Sequence, residues 1–194
     1  MPPRRRHDAA LRRRLLEVGS EAISRRGPKG LSLRDLATRA DTTTAAIYTL
    51  FGGRDQLIEA VAAEGFQRFG AHLDTVVRTA DPAADLLALG LAYRASALAD
   101  PHFYRVMFGV AAPRRAAASP TFVVLREAVE RVATTPPDRA EEIAYRLWSL
   151  VHGLVDLELA GHLPGDESAR ADRYGATLQA IGPAMFNSSP QAGE

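Results

Sequence analysis

Residues 31–57 of the chain read LSLRDLATRADTTTAAIYTLFGGRDQL. Two short helical patterns lie on either side of a polar turn, and Gly52-Gly53 separate the second from the start of a third. Ser32 and Asp35 have the spacing of a capping box, which predicts a helix from this point to about Ala40. The second short helix is expected over about 44–51. Helix, tight turn and short helix is the geometry that lays a helix in the major groove of DNA.

The apolar residues of this stretch predict a small core, and its polar residues predict an outer surface. Short helices are marginal without tertiary packing, so the preceding and following helices must act as a platform. The expected core is Leu33, Leu36, Ala37, Ile47, Leu50, Phe51 and Leu57. The expected outer side is Thr42, Thr43, Thr44, Ala45, Tyr48 and Thr49. Hydroxyls and methyl-sized side chains suit base edges and phosphates. The alternative is an ordinary helical core with a buried Tyr48.

Charge is distributed unevenly along the 194 residues. The chain has a net charge of +1, but residues 1–54 are basic, with 12 Arg or Lys and 5 Asp or Glu. The remaining residues are acidic, with 12 Arg or Lys and 18 Asp or Glu. A basic head can collect phosphates and release counterions. Arg5 and Arg6 lie in a basic N-terminal segment that we expect to be a flexible arm contacting DNA. The alternative is a solvated face without a partner.

Composition excludes several other classes of protein. The chain has no cysteine, which rules out disulfides and thiolate metal sites and suits a reducing cytoplasm. No apolar run approaches the roughly 20 residues of a membrane span. The N-terminal segment is basic but lacks the apolar stretch of a secretory signal. We therefore expect a cytoplasmic protein that makes no contact with a membrane.

The periodicity predicts an all-α fold of about nine helices. A first helix is expected over Asp8–Arg26, and a long one from Arg54 to about Thr79. Later helices are predicted to start at Asp81-Pro82, Asp100-Pro101, Ser119-Pro120 and Pro136–Asp138, the last running to about Gly161, and a final helix covers about 167–185. We expect a three-helix DNA-binding domain over 1–53, a helical-bundle domain for ligand sensing and dimerisation over 54–186, and a disordered tail over 187–194.

The segment IYTLFGGRDQL, residues 47–57, resembles the DNA-binding head of TetR-family transcriptional regulators. Tyr48, Phe51, Arg54 and Leu57 stand at the matching places, and the resemblance covers about residues 8–60. It implies a ligand-responsive repressor that binds a near-palindromic operator in double-stranded DNA as a homodimer. The residues to which it assigns contacts with bases or phosphates are Thr42, Thr43, Thr44, Tyr48, Thr49 and Arg54; we add Arg5, Arg6, Ser32 and Ala45 as candidates.

The same segment departs from the family pattern in two places. Leu50 stands where a His is often found, and the Asp41-Thr42 pair replaces a Gly that is common in the turn. Neither departure affects the expected fold, but both leave the operator sequence open.

A second resemblance concerns DPHFYRVMFG and RLWSLVHGLVDLELAG, which are similar to a class of TetR C-terminal domains marked by Trp and His-Gly. Trp148, His152 and Gly153 are the matching residues. By analogy this region would hold a small, largely apolar inducer. The candidate lining residues are Phe66, Phe69, Tyr93, Phe103, Tyr104, Met107, Phe108, Phe122, Trp148 and His152. The alternative for each of them is simple core packing, and Gly153 is expected to permit close approach of another helix or to line the cavity.

The helix over about 139–161 has apolar residues on two sides. Ile143, Leu147, Leu150, Leu154 and Leu157 are expected on one side, and Trp148, Val151 and Val155 on another. We predict that this helix and the segment 167–186 form a four-helix interface with a second copy of the chain. The alternative is burial within one protomer.

Metal binding and catalysis find little support in the sequence. The five histidines are scattered, so no metal site is expected. Ser149, His152 and Asp156 lie within two helical turns and cannot align a nucleophile, a base and an orienting carboxylate, so neither an enzyme nor a cofactor is expected. The remaining alternative function is a helical small-molecule-binding protein that does not bind DNA.

Overall fold

The computed structural model describes residues 3–109, 120–133 and 136–187, with side chains from Asp8 onward. Within these ranges every regular element is helical, which confirms the predicted all-α class. None of the described helices is long and apolar enough to cross a membrane. The helices are α1 (Pro3–Arg26), α2 (Leu33–Arg39), α3 (Thr44–Phe51), α4 (Arg54–Leu73), α5 (Pro82–Ala99), α6 (Pro101–Phe108), α7 (Pro120–Val132), α8 (Pro137–Leu159), α9 (Glu167–Ile181) and the one-turn α10 (Ala184–Asn187).

The described chain divides into two compact units. The first comprises residues 3–68 and 100–109 and is built on α1. Its core contains the residues predicted for the head: Leu36, Ala37, Ile47 and Leu57 are buried, and Leu33, Leu50 and Phe51 pack against them. The platform that the short helices require is supplied by buried residues of α1 and α4, namely Leu11, Leu15, Leu16, Ile23 and Val61. Each fully buried leucine contributes about 1.5–3 kcal/mol.

Local capping explains why α2 and α3 begin where they do. Ser32 Oγ accepts a hydrogen bond from the Asp35 backbone N–H at 3.2 Å, as the capping pattern predicts. Thr43 Oγ1 accepts from the Ala46 backbone N–H, also at 3.2 Å, and so caps α3. The α3 range agrees with the prediction because both of its ends carry strong local signals: the Thr43 cap and Gly52, whose φ is 90°.

The turn between α2 and α3 closes α2 with a Schellman motif. The Thr42 N–H donates to the Ala37 carbonyl oxygen at 2.9 Å, and the Asp41 N–H donates to the Thr38 carbonyl oxygen at 3.3 Å. Asp41 accordingly has φ of 50°, in the left-handed region that glycine occupies without strain. Aspartate is one of the few other residues found there, so the departure from the family pattern at this position preserves the turn.

The start of α1 and the end of α4 differ from the predicted positions. Helix α1 begins at Pro3 rather than Asp8, so the segment predicted to be a flexible arm is helical from that residue. Proline suits a first helical position and arginine is a good helix former. Helix α4 ends at Leu73 rather than Thr79, and Thr75 Oγ1 donates to the His72 carbonyl oxygen at 2.7 Å. The β-branched run that follows, Thr75–Val77, is less suited to a helix.

One predicted cap and one predicted helix end differ in the later helices. Asp100 was expected to cap α6, but in the described chain its carboxylate instead accepts from Arg68 at 3.2 Å. Helix α9 ends at Ile181 because Gly182-Pro183 interrupts it, and α10 follows. Ser119 and the tail beyond Asn187 lie outside the described residues.

The second compact unit comprises residues 69–99, 120–133 and 136–187. Its core includes Phe122 and Val129 of α7 together with Ala140, Ile143, Ala144 and Leu147 of α8. Two buried carboxylates hold the helices together. Asp85 accepts from Thr79 Oγ1 at 2.7 Å and from Arg131 at 2.8 Å. Glu158, whose side chain is only 5% exposed, binds Arg94 of α5 at 2.6 Å and Arg170 of α9 at 3.2 Å.

Candidate functional site

Helix α3 presents an uncharged surface to solvent. Thr43, Thr44, Ala45 and Thr49 are exposed and Thr42 is half-buried, while Ile47 points into the core. Tyr48 is 56% exposed, which is far from the alternative of a buried core tyrosine. Its ring lies over the glycine turn, since a Cβ built on Gly53 would be 3.7 Å from Tyr48 Cε1. The residues predicted for the outer side of this helix therefore share one accessible surface, apart from the partial burial of Thr42.

Several hydroxyl groups on this surface already form hydrogen bonds with the backbone. Thr43 Oγ1 and Ser32 Oγ accept the capping bonds of α3 and α2. Thr49 Oγ1 donates to the Ala45 carbonyl oxygen at 3.0 Å, so its proton is used within the helix. Ser32 is half-buried at the start of α2, on the other helix of the motif.

Arg54 has a structural role that the sequence did not reveal. At the start of α4, its Nε donates to the Leu31 carbonyl oxygen at 3.2 Å, and its Nη2 donates to the Pro28 carbonyl oxygen. These bonds tie α4 to the loop that precedes α2. The acceptors are backbone atoms more than twenty residues away, so no sequence pattern marks them.

Other basic side chains of the first unit are also held in place. Arg12 lies over the ring of Phe51 at 5.3 Å, next to the end of α3. Arg39 of α2 donates to Glu21 of α1, and this contact lowers the pKa of the Glu21 carboxyl. The side chains of Arg5 and Arg6 lie outside the described part of the structure, so their predicted DNA contacts stay predictions.

The candidate ligand residues fall into the two compact units. Phe66, Phe103, Tyr104, Met107 and Phe108 belong to the first. There Phe66 and Phe108 meet edge to face with ring centroids 5.9 Å apart. A Cβ built on Gly65 would lie 2.6 Å from Met107 Cγ, so α4 and α6 pack closely at this point. Phe69, Tyr93, Phe122, Trp148 and His152 belong to the second unit.

The five aromatic candidates of the second unit form one continuous row. Phe69 meets Tyr93 edge to face at 4.9 Å, and the Tyr93 hydroxyl oxygen lies 2.9 Å from His152 Nδ1. The His152 ring is 5.7 Å from Trp148, whose ring is 6.0 Å from that of Phe122. The structure therefore brings the Trp148 and His152 pair together with Tyr93, a contact that spacing along one helix does not reveal.

The environment of His152 favours its neutral form, which can accept a hydrogen bond. Burial lowers its pKa, and the Asp156 carboxylate, 3.4 Å from Nε2, acts in the opposite direction. This carboxylate favours a proton on Nε2, which leaves Nδ1 as the acceptor for the Tyr93 hydroxyl. The row thus has apolar rings at both ends and one polar link at its centre.

The sequence suggested that Gly153 lines a cavity, but it does not do so within the described protomer. It is exposed, and a Cβ built on it would meet nothing within 4 Å in the described chain beyond its own helix backbone. The expectation that a larger side chain here would fill a cavity is therefore wrong for the protomer.

The apolar residues of α8 differ in burial along the helix. Ile143 and Leu147 are buried, as are Val151 and Val155. Leu150 and Leu154 are half-buried and Leu157 is 45% exposed, on the outward face with Gly153. Around the helix axis, Ile143 and Leu147 lie on the same side as Leu150, Leu154 and Leu157, as predicted. Their burial differs because Ile143 and Leu147 pack into the core with Phe122 and Val129 of α7.

Comparison with known proteins identifies the family to which the chain belongs. Residues 15–61 match the family described as bacterial regulatory proteins of the tetR family, and residues 86–180 match that described as the tetracyclin repressor-like C-terminal domain. The chain belongs to the TetR family of transcriptional regulators. The resemblance of the head is thereby confirmed. Assignment of the C-terminal part to the Trp and His-Gly class stays a prediction.

The TetR-family protein has relatives among characterised and solved proteins. It is 25% identical over 159 residues to an HTH-type transcriptional regulator of Mycobacterium tuberculosis, covering 79% of this chain and 58% of that one. It is 31% identical over 78 residues to an HTH-type nicotine-responsive repressor of Paenarthrobacter nicotinovorans, covering 40% and 39%. A solved structure of a Rhodococcus protein of unknown function matches with a TM-score of 0.70 and 28% identity, covering 91% and 94%. The chain spans under three-fifths of the length of these two curated relatives.

Proposed function

We propose that this TetR-family regulator is a ligand-responsive repressor that binds a near-palindromic operator as a homodimer. The observation that carries the proposal is the accessible surface of α3, where Tyr48 is 56% exposed on a helix whose only buried side chain is Ile47. An exposed tyrosine beside exposed threonines suits contact with phosphates and base edges. The surplus of basic residues before position 55 favours a polyanionic partner.

The proposed contacts divide by chemistry. Tyr48 and Arg54 would contact phosphates, Thr44, Ala45 and Thr49 would face base edges, and the remaining candidates would contact backbone or bases: Arg5, Arg6, Ser32, Thr42 and Thr43. Arg54 can also contribute by holding the loop before α2, through its bonds to Leu31 and Pro28. On this proposal residues 1–53 read DNA, and residues 54–186 sense the ligand and dimerise.

The homodimer would form through about 139–161 and 167–186. On the outward face of α8, Leu157 is exposed, and Leu150 and Leu154 are half-buried. Gly153 has no neighbouring helix within the described protomer. Ile181 at the end of α9 is 39% exposed. Pairing these faces with their symmetry mates would bury apolar area on both copies, and the dimer would carry two α3 helices for the two half-sites. Successive major grooves on one face of the duplex are about 34–36 Å apart.

The effector would be a small, largely apolar molecule bound near the row Phe69, Tyr93, His152, Trp148 and Phe122. Apolar walls with a few polar groups are the usual composition of small-molecule sites. The row supplies rings on both sides of the Tyr93–His152 hydrogen bond. The nicotine-responsive relative is a precedent for a small-molecule effector in a similar repressor. The effector must bind one DNA-affinity state more tightly than the other to shift the equilibrium.

The DNA-binding part is tested by a gel shift of the purified protein with duplexes flanking its own gene. Retarded complexes that weaken steeply with added salt support the proposal. Absence of salt-sensitive binding to every such duplex would favour a helical small-molecule-binding protein instead.

The sensing part is tested with the intrinsic fluorescence of Trp148, the only tryptophan of the chain. A compound that releases the operator should change this fluorescence as it binds. His152→Ala should weaken the response to that compound while operator affinity stays near the wild-type value. If His152→Ala leaves both unchanged, the row is core packing and the effector binds elsewhere.

A further inference from the structure

The composition of α3 limits how it can read a base sequence. Its eight residues, TAAIYTLF, include no charged and no amide side chain. The strong direct readers of DNA are Arg or Lys, which bind guanine O6 and N7, and Asn or Gln, which bind adenine N6 and N7. None of these side chains is available on α3, so its readout must use other groups.

Two of the exposed side chains of α3, Ala45 and Thr49, present methyl groups. Ala45 has nothing beyond its Cβ. Thr49 donates its hydroxyl proton to the Ala45 carbonyl oxygen at 3.0 Å, so it cannot donate that proton to a base acceptor such as guanine O6 or thymine O4. Both residues are exposed and lie four positions apart, on one face of the helix. Thr49 Oγ1 can still accept a hydrogen bond. The methyl groups of Ala45 and Thr49 are suited to apolar contact, for which the thymine C5-methyl group is the partner in the major groove.

We propose that α3 recognises thymine methyl groups, with Ala45 and Thr49 as the specificity-determining residues. The inference rests on the proposed function, in which α3 lies in the major groove. Each operator half-site then has thymine at the positions that face these two residues. Contacts to guanine are left to side chains outside α3, such as the exposed Arg34 of α2.

The test begins with selection of duplexes from a randomised library by the full-length protein. In the enriched half-site, each thymine is replaced in turn by deoxyuridine, which removes only the C5-methyl group. At one or two positions the affinity should fall about three- to fivefold, the effect of losing one buried methyl. Changing those T·A pairs to C·G should weaken binding further, and 5-methylcytosine, which carries its methyl at the same place in the groove, should restore part of the loss.

A double-mutant cycle then assigns the methyl contact to the protein. Thr49→Ser removes the side-chain methyl and keeps the hydroxyl, so it should weaken binding to the thymine site and have little further effect on the deoxyuridine site. Thr38→Ser is the matched control, since Thr38 is exposed on α2 and donates to the Arg34 carbonyl oxygen at 3.1 Å in the same way. It should show no coupling to the DNA methyl groups.

The outcomes separate this inference from the proposed function. If no duplex is enriched, the proposed DNA-binding function fails and the methyl readout fails with it. If a half-site is enriched but tolerates deoxyuridine at every thymine, the inference alone is overturned. Loss of affinity on replacing guanine with 7-deazaguanine, without any uracil effect, would likewise overturn it in favour of reading by an arginine.

Discussion

The Nε of Arg54 lies 3.2 Å from the carbonyl oxygen of Leu31, to which it donates a hydrogen bond. A second bond runs from Nη2 to the Pro28 carbonyl oxygen, so the first residue of α4 holds the loop that leads into α2. The residue that the family resemblance assigns to phosphate binding therefore also positions the helix-turn-helix. The two roles can be separated by changing the shape of the side chain and its charge independently.

Arg54→Ala should lower the free energy of unfolding by about 1–3 kcal/mol, because the charged donor of both bonds is lost. It should also reduce the slope of log K against log salt by about one phosphate contact. Arg54→Lys keeps the charge but not the forked geometry, so it should lose stability while the salt slope stays near the wild-type value. Urea unfolding and DNA titrations at several salt concentrations measure both. A wild-type slope in Arg54→Ala would exclude the phosphate contact.

Asp41→Gly should stabilise the protein. At φ of 50° Asp41 bears the cost of a left-handed conformation, about 1–2 kcal/mol for a general L-residue and less for aspartate. Glycine removes that cost but adds about 0.5–1 kcal/mol of chain entropy in the unfolded state, so a net gain of up to about 1 kcal/mol is expected. Asp41→Ala, which keeps the strain and loses the local tolerance of aspartate, should be destabilising. Urea unfolding that ranks alanine above glycine would refute this account of the turn.

Glu158 makes stability depend on pH at the acidic end. Hydrogen bonds from Arg94, and then from Arg170, hold the pKa of the Glu158 carboxyl below its usual value of 4.5. The contribution is therefore complete above about pH 4.5 and is lost as the pH falls toward the lower pKa of the folded state. Glu158→Gln should cost about 3 kcal/mol at pH 7, because Arg94 loses its charged partner, and should flatten the decline in stability below about pH 4.5.

The control for this prediction is Glu142→Gln, at an exposed pair with Arg146 whose two side chains are 61% and 31% exposed. It should leave both the stability at pH 7 and the acid profile close to wild type. An unchanged acid profile in Glu158→Gln would show that other carboxylates, such as Asp85, dominate acid unfolding.

Leu157→Asp should dissociate the homodimer. The substitution puts a charge on the outward face of α8, where Leu157 is 45% exposed in the protomer, and a buried unpaired charge is costly in an interface. Val77→Asp is the matched control, since Val77 is 75% exposed and lies outside α8 and α9. Sedimentation at micromolar concentration should give a dimer for the wild type and Val77→Asp, and a monomer for Leu157→Asp. A wild-type monomer would contradict the proposed assembly.

The sequence predicted the parts of the fold that depend on neighbouring residues. Ser32, Thr43 and Gly52 mark the ends of the helix-turn-helix through local bonds and backbone preferences, so the α3 range and the small core around Ile47 agree with the structure. Asp100 shows where such reasoning fails. It has the sequence pattern of a helix cap, but its carboxylate binds Arg68, which also reaches Glu17 of α1.

The candidate ligand residues were harder to resolve from sequence for the same reason. Aromatic residues mark core positions, but the sequence does not show that Phe66 and Phe69, three positions apart on α4, belong to different compact units. Nor does it show that Tyr93 meets His152, 59 positions away. Gly153 was interpreted as a position for close helix approach or cavity lining, whereas in the described protomer it is exposed and no side chain lies close to it. Each of these depends on which helices become neighbours in three dimensions.

The most direct test of the account is the DNA affinity of Tyr48→Phe against that of the wild type, measured by fluorescence anisotropy on a duplex flanking the gene. Tyr48 is 56% exposed, so removing its hydroxyl should leave folding unchanged. We expect salt-dependent binding by the wild type and at least about tenfold weaker binding by Tyr48→Phe, the cost of one hydrogen bond to a charged phosphate. Equal affinity of the two proteins at every salt concentration would contradict the placement of α3 on DNA.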